Sequence, residues 1–303
     1  QDHKYDKNKH NDGPTHTRIG DSKKKIAGGS YYIPDNQYQL FMDLYYNDVF
    51  IKNKKEHLTE KQLNSEYSPI AVDLDLHFDI NIENRVYSQE HLDDLIDLYL
   101  EELKEIYQFD ENTEFPIFLF EKDNMNRVDE KKITKDGIHI IFGIQMDHKG
   151  QCILRKKILA RIQEAWGDFP IVNKWSDVLD EGVSVGYTNW QLYGSCKPHH
   201  ESYKLKSVYK ISYDGDDSEI ITVKGNVSDY LTKENFKLLS VRNKDHISCF
   251  YKNSFMALLE CGNSEIPIQR TTSNLSDKNN GSNTFDVFGS GSGSDEISKI
   301  KTS

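Results

Sequence analysis

The chain has 303 residues, of which 29% are charged, and a formal net charge of −11. This length is enough to bury the core of one large or two modest domains, and no apolar run approaches the roughly 18 residues that a membrane span requires. The acidic balance argues against a protein that coats nucleic acid by charge alone, but not against a nucleic-acid enzyme with local basic patches.

Residues 1–28 are polar and without apolar periodicity, which predicts a flexible N-terminal arm. The first residue is Gln rather than Met, so the chain reads as a fragment, and no signal peptide is evident. Tyr31, Tyr32 and Ile33 predict a short strand, Pro34 and Asp35 a turn, and residues 38–50 a helix bearing Leu40, Phe41, Leu44 and Tyr45. Residues 69–80 read as a strand, and 71–80 alternate strictly. Val72, Leu74, Leu76 and Phe78 fall on one side of a strand, and Asp73, Asp75, His77 and Asp79 on the other.

A long amphipathic helix is predicted from Ser88, its stripe formed by Leu92, Leu95, Ile96, Tyr99, Leu103 and Ile106. Residues 115–120 and 137–142 read as strands, and 151–166 as a helix facing inward through Leu154, Ile158, Ile162 and Ala165. A polar region at 177–182 leads into Trp190, Gln191 and Leu192. Two more strands, 207–213 and 219–223, flank a turn-rich 214–217. The mixture indicates an α/β or α+β catalytic domain over 29–263, followed by a flexible Ser-, Asn- and Gly-rich linker or tail at 264–303.

The acidic strand face is the main chemical signal. Two carboxylates about 4 Å apart repel by roughly 4 kcal/mol at an effective dielectric of 20, so such a face needs a cation, a proton or open water. By itself the Asp-x-Asp pair fits a metal site and a solvated strand equally well. Asp180, ending the apolar-acid step Val178-Leu179-Asp180, supplies a third carboxylate, and three carboxylates from separate strands can hold two divalent ions. His139 opens an apolar strand after Lys135, Asp136 and Gly137. It reads either as a satisfied core histidine or as a donor to a nucleotide phosphate, with Lys135 nearby and Gly137 allowing close backbone approach. Lys197 follows a Gly194-Ser195 turn, where it is either an exposed lysine or a mobile point charge for a triphosphate. Trp190 and Tyr193 are core aromatics or, for one of them, a stacking platform for a base or sugar.

Cys152, Cys196, Cys249 and Cys261 lie far apart without a paired-cysteine signature, consistent with thiols in a reducing compartment. Cys196, His199, His200, His246 and Cys249 are suitable zinc ligands, but their spacing matches no short closed motif, so structural zinc is not among the expected cofactors.

In order and spacing, Val72-Asp-Leu-Asp75, Asp136-Gly-Ile-His139, Val178-Leu-Asp180 and the segment from Trp190 to Pro198 resemble the archaeo-eukaryotic primase superfamily. The similarity is to the primase-polymerase module at the front of the helicase-primase proteins of large DNA viruses, over roughly 29–259. The resemblance implies an α+β fold of two lobes, one with an RNA-recognition-like catalytic sheet and the other a second α/β lobe, and a cleft between them. It implies template-dependent joining of nucleoside triphosphates on single-stranded DNA, with release of pyrophosphate, for viral DNA replication. Asp73, Asp75 and Asp180 would be catalytic and bind Mg²⁺ or Mn²⁺, while His139, Lys197, Lys135 and Ser195 would hold the incoming nucleotide. A helicase region in the parent protein and an intracellular viral replication compartment are implied in the same way.

Two features depart from the pattern. Many relatives have Ser-x-His where this chain has Gly137-Ile-His139, so a hydroxyl contact is missing. No arginine lies between Asp180 and Lys197, which leaves Lys135 or Arg127 to substitute, or a low substrate affinity. The competing readings are a metal-dependent nuclease and a non-catalytic nucleic-acid-binding module of a larger helicase protein.

Overall fold

The computed structural model describes residues 3–10, 13–63, 67–215 and 219–261. β1 (His16–Arg18), β2 (Gly29–Tyr31) and α1 (Asp35–Tyr46) come first, α1 running on into a π-helical turn at Asn47–Ile51. β3 (Leu58–Glu60), β4 (Ser68–Asp79), α2 (Gln89–Ile106), β5 (Tyr107–Gln108) and β6 (Glu114–Glu121) follow. Next are β7 (Asn126–Val128), β8 (Ile133–Met146), α3 (His148–Ala165), the short α4 (Glu181–Val185) and β9 (Trp190–Gln191). β10 (Lys204–Asp214), β11 (Glu219–Gly225), β12 (Phe250–Tyr251) and α5 (Asn253–Cys261) complete the described chain. The mixed α+β class read from the sequence is what forms.

The main sheet is antiparallel, in the order β11-β10-β6-β8-β4, with β7 also on β8. Period-two patterning divides its two faces between two cores. On one face, Val72, Leu74, Leu76 and Phe78 of β4, Ile138, Ile140 and Phe142 of β8, and Ile117 and Leu119 of β6 pack under α2 and α3. Ser88 caps α2 through its hydroxyl, and the predicted stripe of that helix is buried throughout. Each of its Leu and Ile side chains contributes roughly 1.5–3 kcal/mol by leaving water. α3 is capped by Asp147 and buries Leu154, Ile158 and Ile162, but Ala165 is exposed and the adjacent Trp166 takes the inward position.

The opposite face has a second core around Ala71, Phe118, Phe120 and Ile141. It is covered by α1, by β3 and β9, and by the turn at Phe236–Leu239. β3 and β9 belong to a small antiparallel sheet ordered β2-β1-β3-β9. Only part of this face of the main sheet is covered. Ala71 is buried, whereas Asp73, Asp75 and His77 beyond it along the same strand face are partly exposed.

Three expectations need correction. Residues 16–18 are no free arm: β1 is the inner strand between β2 and β3, His16 is fully buried against Phe41, and Thr17 hydrogen-bonds its register partner Thr59 at 2.6 Å. Cross-strand threonine pairing stabilises a segment whose composition reads as polar. The inward face of α1 is Met42 and Tyr45, continued by Val49, whereas Leu40 and Leu44 are 58% and 59% exposed. Residues 178–180 form no regular strand, although they do pair with β4, as described below. The expected tail at 264–303 lies outside the described residues.

Candidate active site

The site grows from the outer edge of β4. Leu179 bridges Leu74 in antiparallel fashion, with Asp75 N–H donating to the Val178 carbonyl at 2.9 Å and Asp180 N–H to the Asp73 carbonyl at 3.0 Å. This register sets Asp180 directly opposite Asp73, on the face away from the buried Leu74 and Leu179. On the other side of β4, the register partner of Asp73 is His139 of β8. One row therefore crosses the sheet as Asp180, Asp73, His139.

Two side chains hold the pairing segment in place. Asn173 imitates a strand: its amide donates to the Asp75 carbonyl at 2.8 Å and its oxygen accepts from His77 N–H at 3.1 Å. Arg155 of α3 donates to the carbonyls of Leu179 and Ser176 at 2.8 and 2.7 Å. Asp180 also caps α4, accepting from Gly182 N–H at 2.7 Å.

The charges feel one another. Burial, then the charges of Asp73 and Asp75, raise the Asp180 carboxyl above the ordinary carboxylate value. Burial pushes Asp73 the same way, but His139, and then Lys197 and Lys122, outweigh it and hold that carboxyl low. His139 Nε2 lies 3.5 Å from Asp73 Oδ1, and its ring stacks on Tyr203 at a centroid separation of 3.6 Å, with Trp190 at 4.2 Å.

Lys122, at the end of β6, is a cation that sequence reasoning missed. Its Nζ lies 4.5 Å from the Tyr203 ring centroid. Burial, then the charge of Lys197, lower its ammonium below the ordinary lysine value, while Asp73 and Asp75 pull the other way. The only sequence signal for it is a charged run closing an apolar strand. Arg85 fixes this corner by donating twice to Asp136, at 2.8 and 3.0 Å, once to Glu121 at 2.7 Å and once to the Lys122 carbonyl at 2.8 Å.

The structure treats the remaining sequence candidates differently. Lys135 is the register partner of His77 and so shares the acidic face. Lys197 is exposed, and its charge reaches Asp73. Ser195 is buried, and its hydroxyl is committed to Tyr45 Oη at 2.8 Å and Leu58 N–H at 3.1 Å. Ser195 thus ties down the loop ahead of Lys197, which corrects the expectation of a nucleotide contact. Arg127 is occupied by Asp129 and the Ile80 carbonyl. Tyr193 accepts from Leu205 N–H and packs near Phe50 and Phe120, a core role.

Among the described residues, no three His, Cys, Asp or Glu side chains are grouped so as to hold a metal ion. The chemistry of the donors nonetheless suits one: Asp73, Asp75 and Asp180 offer hard oxygen ligands, and Asp180 is raised first by burial and then by the charges of Asp73 and Asp75, a charge cost that a divalent cation would offset.

Residues 21–209 match the family model described as "C962R protein N-terminal AEP domain", where AEP denotes archaeo-eukaryotic primase. The match covers more than half of the chain. The chain belongs to this family. The AEP domain is also similar to an Acanthamoeba polyphaga mimivirus protein described as "Putative helicase L207/L206", at 31% identity over 188 residues. That similarity covers 59% of this chain and 19% of the mimivirus protein, so the chain spans about a fifth of the relative's length. The row of Asp180, Asp73 and His139, together with Lys122, Lys197 and Tyr203, lies inside the matched part of the AEP domain. Among the described residues, no helix of the AEP domain is long and apolar enough to cross a membrane.

Proposed function

We propose that this AEP domain is a template-dependent DNA primase-polymerase that joins nucleoside triphosphates on single-stranded DNA. The observation that carries this reading is the placement of Asp180 and His139 on either side of Asp73. The chain path also supports it. Apart from the short β5 and β7, the elements β4, α2, β6, β8, α3 and the pairing residues 178–180 run in the order β-α-β-β-α-β, with the strands side by side as β6, β8, β4 and 178–180. We read that unit as the RNA-recognition-like catalytic lobe, and α1 with the small sheet as the second.

Asp73, Asp75 and Asp180 are the residues that would hold Mg²⁺ or Mn²⁺. Bound there, the ions supply acidity to an attacking 3′-hydroxyl and neutralise phosphate charge. His139, braced between Tyr203 and Trp190, offers an imidazole N–H to the triphosphate. Lys197 and Lys122 add positive charge beside it. Lys135 sits farther along the acidic face, where it can meet a template or primer phosphate. In a longer parent protein the domain would work with a helicase region within a viral replication compartment, a reading that rests on the helicase description of the mimivirus relative.

The test is incubation with single-stranded DNA, Mg²⁺ or Mn²⁺, and labelled ribo- or deoxyribonucleoside triphosphates in turn. The reading expects template-directed product with at least one set, and product length and sugar type then define the substrate. Cleavage of labelled DNA without added triphosphate, and no synthesis with either set, would make the domain a nuclease instead.

A further inference from the structure

Tyr203 belongs to none of the acidic or histidine motifs, yet its phenol is placed where a side chain is missing. A Cβ built on Gly137 would lie 2.5 Å from Tyr203 Oη, closer than such atoms approach one another, whereas its other neighbours, the Leu74 carbonyl oxygen and Tyr203 Cζ, are at ordinary distances of 3.5 and 3.6 Å. The hydroxyl alone, not the ring, occupies the space of a side chain at residue 137 and would have to shift to admit one. Gly137 is in turn the register partner of Asp75 and lies two residues from His139 on the same strand face. The phenolic oxygen therefore enters the row next to that of Asp73 and His139, on the acidic side of the sheet.

The ring is held firmly there, stacked on His139 at 3.6 Å with the Lys122 ammonium 4.5 Å from its centroid. Burial, then the charges of Asp73, Asp75 and Asp136, push the phenol well above its ordinary value, so it stays protonated and acts as a donor. A protonated donor with the Lys122 ammonium over its ring can meet an anionic oxygen, the charge of the nearby carboxylates being what a bound divalent cation would offset.

We propose that Tyr203 is a substrate-binding residue whose hydroxyl, in the space left by the absent side chain of residue 137, donates a hydrogen bond to a phosphate oxygen of the bound nucleoside triphosphate. Gly137 and Tyr203 are then a matched pair: the glycine admits the hydroxyl, and the hydroxyl replaces what a polar side chain at 137 would supply. The assignment rests on the nucleotidyltransferase reading above and deepens it.

The experiment measures nucleoside triphosphate binding, with Mn²⁺, to the whole chain and to three variants by calorimetry, with thermal unfolding of each. Tyr203→Phe is expected to weaken binding about tenfold, the worth of one hydrogen bond to a charged group, at unchanged thermal stability. Gly137→Ser is expected to weaken it at least as much, because its side chain displaces the phenol. The double variant Gly137→Ser/Tyr203→Phe removes the clash and returns a hydroxyl to the site, so binding should recover to within about threefold of wild type. A merely structural role for Tyr203 gives no such recovery. Equal binding by wild type and Tyr203→Phe overturns the assignment, as does a double variant no better than Tyr203→Phe. A wild-type chain that binds no triphosphate overturns the assignment together with the reading beneath it, and this outcome alone touches both.

Discussion

Asp180 donates its main-chain N–H to the main-chain carbonyl of Asp73 at 3.0 Å, so carboxylates far apart in sequence face the same side of one sheet edge. Asp180 carries a cost for this, because burial and the charges of Asp73 and Asp75 raise its carboxyl. Asp180→Asn keeps the cap to Gly182 and removes a charge. It should stabilise the metal-free protein and reduce the stabilisation gained on adding Mn²⁺. Thermal unfolding in EDTA and in Mn²⁺ checks both signs, and a variant that matches wild type in both media contradicts them.

Arg85 joins α2's leading loop to two strands by bonding Asp136, Glu121 and the Lys122 carbonyl. Asp136 has only a 1% exposed side chain, and the Arg85 side chain is 27% exposed. Arg85→Met strands the Asp136 carboxylate and should cost about 3 kcal/mol, the usual penalty for breaking a buried pair from one side. Urea denaturation measures it, and the additional substitution Asp136→Asn should recover much of the loss.

Asn173 bonds β4 through its side chain, at Asp75 and His77. Asn173→Ala leaves a β4 carbonyl and N–H without those partners, at a cost of about 1–3 kcal/mol. The account expects faster amide exchange at His77 and a loss of synthesis larger than the loss of stability, since the strand edge that aligns Asp180 loosens.

Much of this was legible in the sequence. Strict alternation in β4, the stripe of α2 and the apolar run of β8 are local signals, and the elements formed where those signals lie. Asp73, Asp75 and His139 were visible for the same reason. What stayed hidden depends on partners distant in the chain. β1 is polar and is a strand only because β2 and β3 flank it. Ser195 looked like a ligand-facing turn residue until Tyr45 and Leu58 claimed its hydroxyl. Lys122 and Tyr203 gain meaning only once β6, β8 and β10 lie side by side, and no periodicity encodes that register.

A buried acid outside the site gives the fold a pH signature. Glu60 is fully buried in β3, accepting from the Ser240 hydroxyl at 2.6 Å and Val241 N–H at 3.0 Å, and burial pushes its carboxyl up to about 7. Because the folded value lies above the unfolded one, the folded state holds a proton that the unfolded chain releases near the ordinary glutamate value. This contribution to stability is full below that value and is lost as pH rises through about 7, by up to about 3 kcal/mol. Glu60→Gln should flatten the stability profile between pH 5 and 8, as read from urea midpoints across that range.

The most direct measurement compares wild type with Asp73→Asn and Asp180→Asn for labelled product on single-stranded DNA with Mn²⁺ and nucleoside triphosphates, alongside circular dichroism of each protein. The account expects product from wild type and at least a hundredfold loss, about 3 kcal/mol of barrier or more, in both folded variants. Undiminished synthesis by folded Asp180→Asn would contradict it, because the pairing of Asp180 with Asp73 would then have no part in the chemistry.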